Sequence, residues 1–238
     1  MGDGLAGVRA VLFDVDGTLY SQAPVRAAMA LELAASTVLR PAATFEAIRV
    51  LKSFRRTREQ LRDAHDSRQT LDDRQYEACA AKLGVPADTV RRIVDEWIIR
   101  RPLKHLSRAR RRDVTSCLDA LAGSQVRIGA LSDYPVDDKL RALGIDKYFS
   151  LRLCTTDRAI NAFKPDPRGF LYACEQWGIS PEEVLYVGDR PEVDGVGAAA
   201  AGTRWVIVGR VRGGGGGERG IAGISAFGDL ARAFANAG

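Results

Sequence analysis

The chain has 238 residues, 46% of them hydrophobic and 27% charged, with a formal net charge of +5. These values are ordinary for a globular protein. No stretch approaches the roughly 20 consecutive apolar residues of a membrane-spanning helix, so we expect a cytoplasmic protein with no membrane partner. The four cysteines are widely spaced and form no CxxC pair, which argues against a zinc site or a disulfide framework.

The first predicted element is a short buried strand, VRAVLF at residues 8–13, which stops at the polar run 14–18, DVDGT. The pattern then becomes helical up to residue 113. It predicts four helices, the second with Thr44 as a possible N-cap. Residues 24–113 hold 20 basic and 12 acidic side chains, a net charge of +8, whereas the rest of the chain sums to −3.

Strands and helices alternate in the remainder of the chain. Apolar runs predict strands in VRIGAL, LRLCTT, EEVLYVG and TRWVIVG, with an amphipathic helix between each pair. This alternation predicts an α/β fold with a Rossmann-like, doubly wound parallel sheet. We expect the core to comprise residues 1–20 and 114–238, with an inserted all-helical domain at 21–113, and a loop at the glycine run 213–217.

Polar residues follow three of the predicted strands directly. Asp14 and Asp16 end the first, Ser132 and Asp133 end the second, and Gly188-Asp189 ends a later one, with Asp194 five residues on. Lys164 lies in a loop before another helix. Because ligands of parallel sheets bind at the carboxyl ends of the strands, these groups are expected to meet at one edge.

A cluster of carboxylates at one sheet edge suits few kinds of chemistry. Converging carboxylates repel each other unless a cation lies among them, and oxygen ligands completed by a substrate phosphate suit Mg²⁺. One carboxylate can attack phosphorus and a second can transfer protons. A spacing of two residues places Asp14 and Asp16 on the same side of the chain.

The motifs DVDGT, the strand-end serine, the lysine and GDxxxxD together resemble those of the haloacid dehalogenase superfamily over residues 9–209. The resemblance implies that Asp14 is the nucleophile and that Asp16 is the general acid and base. It implies that Ser132 and Lys164 bind the phosphoryl group. Dehalogenases of this superfamily lack the second aspartate and need no metal, so Asp16 favours phosphoryl chemistry.

The resemblance also implies a Mg²⁺ site. Its expected residues are Asp14, Asp16 through its main-chain carbonyl, Asp189, and Asp194 in support. Asp133 is a candidate substrate-binding residue together with Ser132 and Lys164. It stands where many relatives have asparagine, so its side chain either adds negative charge near the substrate or points away.

The helical insert (residues 21–113) resembles a cap of the C1 type. The implied activity is Mg²⁺-dependent hydrolysis of a small phosphomonoester by a monomer or homodimer, with nucleic acid an improbable partner. Three alternatives stay open: a phosphomutase of the same fold, a phosphonate hydrolase with a reactive cap lysine, and a non-catalytic protein that binds an acidic partner through the basic insert.

Overall fold

The computed structural model describes residues 5–62, 69–209, 220–224 and 227–235. Within these residues a single parallel sheet is formed by β1 (Ala10–Phe13), β2 (Arg127–Ser132), β3 (Leu151–Cys154), β4 (Val184–Gly188), β5 (Arg204–Val208) and β6 (Gly220–Ile224). Their order across the sheet is β3-β2-β1-β4-β5-β6. The predicted α/β architecture is therefore confirmed.

The central strand β1 pairs with β2 and β4, so the ends of these three strands are aligned. All four of its residues are fully buried, as expected for a strand covered on both faces. Phe13 is paired with Ala130 on one side and with Val187 on the other. The residues that follow these strands therefore leave the sheet at the same edge.

Helices cover both faces of the sheet. One face packs against α6 (Val114–Gly123), α7 (Asp137–Leu143) and α10 (Phe227–Ala235), and the other against α8 (Arg168–Trp177) and α9 (Val196–Ala201). Along β1, Val11 and Phe13 enter the first layer, whereas Leu12 enters the second. Side chains of a strand alternate between faces, so one apolar run supplies both layers.

The helical insert contains α1 (Gln22–Leu39), α2 (Pro41–Arg62), α3 (Leu71–Leu83), α4 (Ala87–Val94) and α5 (Leu103–Ala109). A π-helical turn, Asp95–Arg100, extends α4. The prediction of four helices missed α5, because Pro102 marks the start of a further helix. The N-cap expected at Thr44 is wrong: α2 begins at Pro41, and the Thr44 hydroxyl donates to the carbonyl of Arg40.

The insert has its own apolar cluster and joins the core through two adjacent segments. Val50, Phe54 and Val90 are fully buried in that cluster. Where the chain leaves and re-enters the core, the amide of Ser21 donates to the carbonyl of Ala109 at 2.9 Å. The expected division of the chain at residues 20 and 113 stays a prediction.

Two further features lie outside the expectations. β6 was not predicted, and the glycine run 213–217 falls outside the described residues. Among the described helices, none combines the length and the apolar character needed to cross a membrane.

Candidate active site

Asp14 and Lys164 form the buried centre of the site. The ammonium of Lys164 lies 2.7 Å from Asp14 Oδ1 and 2.7 Å from Asp194 Oδ1, and it donates to the hydroxyl of Tyr186 at 2.9 Å. These three bonds use all three of its protons. The attraction of Asp14 and Asp194 outweighs burial and raises the pKa of Lys164, so the lysine is held as a cation.

Asp14 keeps one carboxylate oxygen free for chemistry. Its Oδ2 is buried and has no hydrogen-bond partner among the described residues. Burial raises the pKa of Asp14 to about 8; the charge of Lys164 opposes this shift, and the charges of Asp194, Asp16 and Asp189 reinforce it. Any cation that binds beside Oδ2 would favour the ionised, nucleophilic form.

Asp189 brings a second free carboxylate oxygen to the same place. Its Oδ1 is also buried and unpartnered within the part of the chain that the structure describes. Burial and the charge of Asp194 raise the pKa of Asp189 to about 6. Gly17 permits this approach: it has a φ of +104°, and a Cβ there would lie 2.1 Å from Asp189 Oδ2.

The donor set fits a hard divalent cation. Carboxylate oxygens of Asp14, Asp189 and Asp194 lie within 4.8 Å of one another. Two of these residues, Asp14 and Asp189, each carry an orphaned buried oxygen. Oxygen ligands with no sulfur or imidazole suit Mg²⁺.

Asp194 supports its neighbours through hydrogen bonds. Its Oδ1 accepts from Lys164 and Tyr186, and its Oδ2 accepts from the backbone amides of Asp189 (3.1 Å) and Arg190 (3.0 Å). With both oxygens engaged, Asp194 holds the lysine and the Asp189 backbone in position.

Several side chains donate hydrogen bonds to the carboxylate of Asp16. Lys139, a buried lysine of α7, contacts both of its oxygens, at 2.7 and 2.5 Å. Tyr20 donates to Oδ1 at 2.5 Å and Ser132 to Oδ2 at 3.1 Å. Burial would raise the pKa of Asp16, but the charge of Lys139 and these hydrogen bonds together lower it.

The carboxylate of Asp16 is engaged by Lys139, and its main-chain carbonyl accepts a hydrogen bond from Gln22 Nε2 at 2.6 Å. The metal role expected of that carbonyl stays a prediction. The Thr18 hydroxyl is buried and has no partner among the described residues, whereas the hydroxyl of Tyr20 donates to Asp16.

Asp133 faces the helical insert. Its Oδ2 lies 2.8 Å from Arg62, and its Oδ1 accepts from Thr155 at 3.0 Å. Burial opposes ionisation, but the charges of Lys164, Arg62 and Arg58 lower the pKa of Asp133. Its expected role in binding substrate stays a prediction.

Two arginines of α2 fasten the insert to the core. Arg58 lies over the ring of Tyr134, 3.8 Å from its centroid, and over that of Phe163 at 4.3 Å. It also donates to the carbonyl of Asp133 at 2.6 Å. Arg62 adds a bond to the carbonyl of Lys164, so both arginines reach loops that carry site residues.

The sequence predicted seven side chains at this edge but not the lysine, the tyrosine and the two arginines that surround them. Tyr20 could have been found, since it follows Asp16 by four residues. Lys139, Arg58 and Arg62 carry no such signal, because a basic residue on an amphipathic helix is usually solvated. Lys52, Arg55 and Arg56 are exposed, and they line the cavity above the site.

Comparison with known proteins agrees with this geometry. Residues 8–202 match the haloacid dehalogenase-like hydrolase family. A phosphoglycolate phosphatase of Shigella boydii is 29% identical over 204 residues, covering 76% of this chain and 74% of that protein. A phosphoserine phosphatase of Thermus thermophilus is 44% identical over 73 residues, which span only 31% of this chain and 28% of that one.

Solved structures share the fold. A 2-haloacid dehalogenase from Pseudomonas syringae superposes with a TM-score of 0.65 at 23% identity, covering 96% of this chain and 99% of that one. A phosphatase of the same superfamily from Thermococcus onnurineus gives a TM-score of 0.58 at 22% identity, covering 94% and 97%. Because the sequence match to the family includes every strand of the site, the chain belongs to the haloacid dehalogenase-like hydrolases.

Proposed function

We propose that the protein is a Mg²⁺-dependent phosphatase that hydrolyses a phosphomonoester through a phosphorylated Asp14. The observation that carries the proposal is the free, buried Oδ2 of Asp14 beside the Lys164 cation, with Asp16 two residues away. Matches to phosphatases among the curated relatives support the choice of phosphorus as the reacting atom.

In the first half-reaction, Oδ2 of Asp14 attacks phosphorus and forms an O–P bond while the ester P–O bond breaks. The leaving oxygen takes a proton from Asp16, which must enter this half-reaction protonated, with one of its two bonds to Lys139 released. In the second half-reaction, water attacks the phosphorus, Asp16 accepts the proton of that water, and the bond to Asp14 breaks. Phosphate and the alcohol are the products, and both aspartates return to their starting states.

The residues around Asp14 and Asp16 have different functions in this scheme. Lys164 offsets the negative charge that builds up on Asp14 and the phosphoryl group. Lys139, Tyr20 and Ser132 orient Asp16, and Lys139 must release one of its two bonds when Asp16 carries the transferred proton. Ser132 can donate to a phosphoryl oxygen when it releases its bond to Asp16, because its hydroxyl has one proton to donate.

Asp14 and Asp189 would hold the Mg²⁺ ion, with Asp194 orienting them. When bound, such an ion supplies positive charge that stabilises the oxygens of the transferring phosphoryl group. We further propose that the helical insert, residues 21–113, acts as a cap that shields this edge from water.

The dehalogenase chemistry of the Pseudomonas syringae neighbour is disfavoured by Asp16. That aspartate supplies the acid and base required for an alcohol leaving group, whereas a halide ion leaves without a proton. The likeness to that enzyme is one of fold.

The test is phosphate release from a panel of phosphomonoesters, with Mg²⁺ and with a chelator. We expect release that requires Mg²⁺ and that falls by about 10³-fold or more in Asp14→Asn, since loss of a nucleophile costs at least that much. Asp138→Asn is the matched control, because Asp138 is exposed and pairs only with Arg141 among the described residues. Unchanged release in Asp14→Asn would overturn the proposal.

A further inference from the structure

The cavity above the candidate active site is far larger than a phosphoryl group. Its volume is about 1080 Å³, at the upper end of the roughly 300–1,000 Å³ that encloses a drug-sized ligand. Asp14, Asp16, Ser132 and Lys164 form its floor at the sheet edge. Most of the residues that line the cavity belong to the helical insert.

The helical insert contributes both polar and apolar side chains to the walls of the cavity. The apolar part comes from α1, α2 and the segment after α4, and includes Met29, Leu33, Leu51, Trp97, Ile98 and Leu103. Each of these side chains is half-buried, whereas the insert's own core, around Phe54, is fully closed. The wall residues therefore keep apolar surface turned toward the cavity.

This cavity is present with the insert docked on the core. Arg58 and Arg62 connect α2 to Asp133 and to the loop of Lys164. The volume therefore belongs to the arrangement in which the site is covered. Apolar walls of a covered cavity gain their hydrophobic free energy only when a ligand displaces the water against them.

Exposed basic side chains also line the cavity. Lys52, Arg55 and Arg56 are exposed on α2 and form no ion pair among the described residues. Cations that line a cleft attract an anion toward it. The lining thus combines exposed positive charges, an apolar surface and a polar floor.

We propose that the substrate is an amphipathic phosphomonoester, whose phosphate lies at the sheet edge and whose apolar body of several carbon atoms packs against the wall formed by α1, α2 and residues 97–103. The proposal rests on the phosphatase function above. It adds the chemical class of the alcohol: a hydrocarbon or aromatic group and not a short polar acid or a sugar.

The test is a series of straight-chain alkyl phosphates, from ethyl through butyl and hexyl to octyl phosphate, used below their micellar concentrations. We expect kcat/KM to rise with chain length, by up to about fourfold per buried methylene, until the cavity is filled. Glycerol phosphate and phosphoglycolate should be turned over more slowly than butyl phosphate.

Substitutions on α1 test whether the dependence of kcat/KM on chain length arises from the cavity wall. Leu33→Gln and Met29→Gln should each reduce the ratio of kcat/KM for octyl over ethyl phosphate by about tenfold. Leu31→Gln is the matched control: Leu31 lies on the same helix, is 74% exposed and is absent from the cavity wall, so its ratio should equal that of the wild type.

The outcomes separate the two proposals. Release of phosphate from ethyl phosphate or phosphoglycolate with no gain from longer chains would overturn the amphipathic substrate and leave the phosphatase intact. A chain-length gain that Leu33→Gln and Met29→Gln do not reduce would also overturn the assigned wall. No phosphate release from any ester would overturn both.

Discussion

Across the cavity, the sheet edge and the helical insert present two different kinds of surface. At the sheet edge, Lys164 and Asp194 are almost fully buried, and each of their polar atoms has a partner. On the insert, the cavity is lined by half-buried hydrocarbon side chains and by exposed basic residues, of which Lys52, Arg55 and Arg56 form no ion pair among the described residues. The first surface is held by ion pairs and hydrogen bonds, whereas the apolar part of the second surface is not.

This difference suggests a division of labour. Buried ion pairs tolerate little change, because removing one partner leaves the other charged and desolvated. Apolar walls tolerate substitution and alter mainly the fit of a ligand. We infer that the sheet edge determines the reaction and that the insert determines the substrate. The predictions that follow test this division, starting with the largest expected effect.

Lys164→Met should damage both stability and activity. It leaves Asp14 and Asp194 buried without their cation, so we expect a loss of about 3–5 kcal/mol in the free energy of unfolding in the presence of a chelator. Phosphate release should fall by about 10³-fold or more. Urea denaturation and initial rates measure the two effects.

The matched control is Lys82→Met. Lys82 is an exposed lysine of α3 whose ammonium donates, within the described part of the chain, only to Thr57 and Gln60. A Lys164→Met protein as stable and active as this control would show that the buried network is not the basis of the site.

Lys139→Met should reduce activity by about 10²-fold, the lower end of what a proton-transfer group contributes. Lys139 lowers the pKa of Asp16, so its removal should raise that pKa. Because Asp16 must carry a proton to protonate the leaving group, the alkaline limb of the kcat/KM profile should move to higher pH. Lys139→Arg should restore this limb toward its original position. An alkaline limb that does not move in Lys139→Met would refute the role of Lys139 in positioning Asp16.

Arg58→Met should loosen the insert without unfolding it. The substitution removes the bonds to Gln75 and to the carbonyl of Asp133, at a cost of about 1.5–3 kcal/mol for hydrogen bonds from a charged group. Amide exchange should accelerate in α2 near residue 58, while exchange in β1 stays slow. Arg49→Met, an exposed change on the same helix, is the control.

Asp133→Asn should cause the smallest change in the free energy of unfolding, and that change should depend on pH. The pKa of Asp133 is lowered in the folded protein, so its ion pairing contributes stability above the unfolded pKa near 4, and that contribution is lost as the pH falls. Compared with Asp133→Asn, the wild type should be more stable by about 1–2 kcal/mol at neutral pH. That gap should close below pH ~4. A difference in stability between the two proteins that does not change with pH would contradict the stabilising ion pair of Asp133.

The sequence predicted the sheet edge better than the insert, for a physical reason. Asp14, Ser132 and Asp189 follow buried strands, and parallel pairing brings strand ends together whatever the helices do. The position of Lys164 depends on a loop, but its partners are the carboxylates at that same edge. These side chains were therefore predicted from order and spacing alone.

The contacts between the insert and the core could not be predicted, because no strand pairing fixes how these helices lie against their neighbours. The apolar pattern of α2 marks Phe54 as core, but it does not say that Arg58 lies between two aromatic rings of the core domain. The pattern of α7 likewise fits a helix with a solvated lysine, yet Lys139 is buried against Asp16. Contacts between elements far apart in sequence decide these positions.

The most direct test of the central claim uses 4-nitrophenyl phosphate and Asp16→Asn. The nitrophenolate leaves without a proton from Asp16, so the first half-reaction should proceed, whereas water cannot be activated for the second. We predict a burst of about one nitrophenolate per enzyme molecule, and a phosphoryl group on the peptide that contains Asp14 after acid quenching and mass spectrometry. Steady hydrolysis without a burst, and with no phosphoryl group on that peptide, would contradict the account.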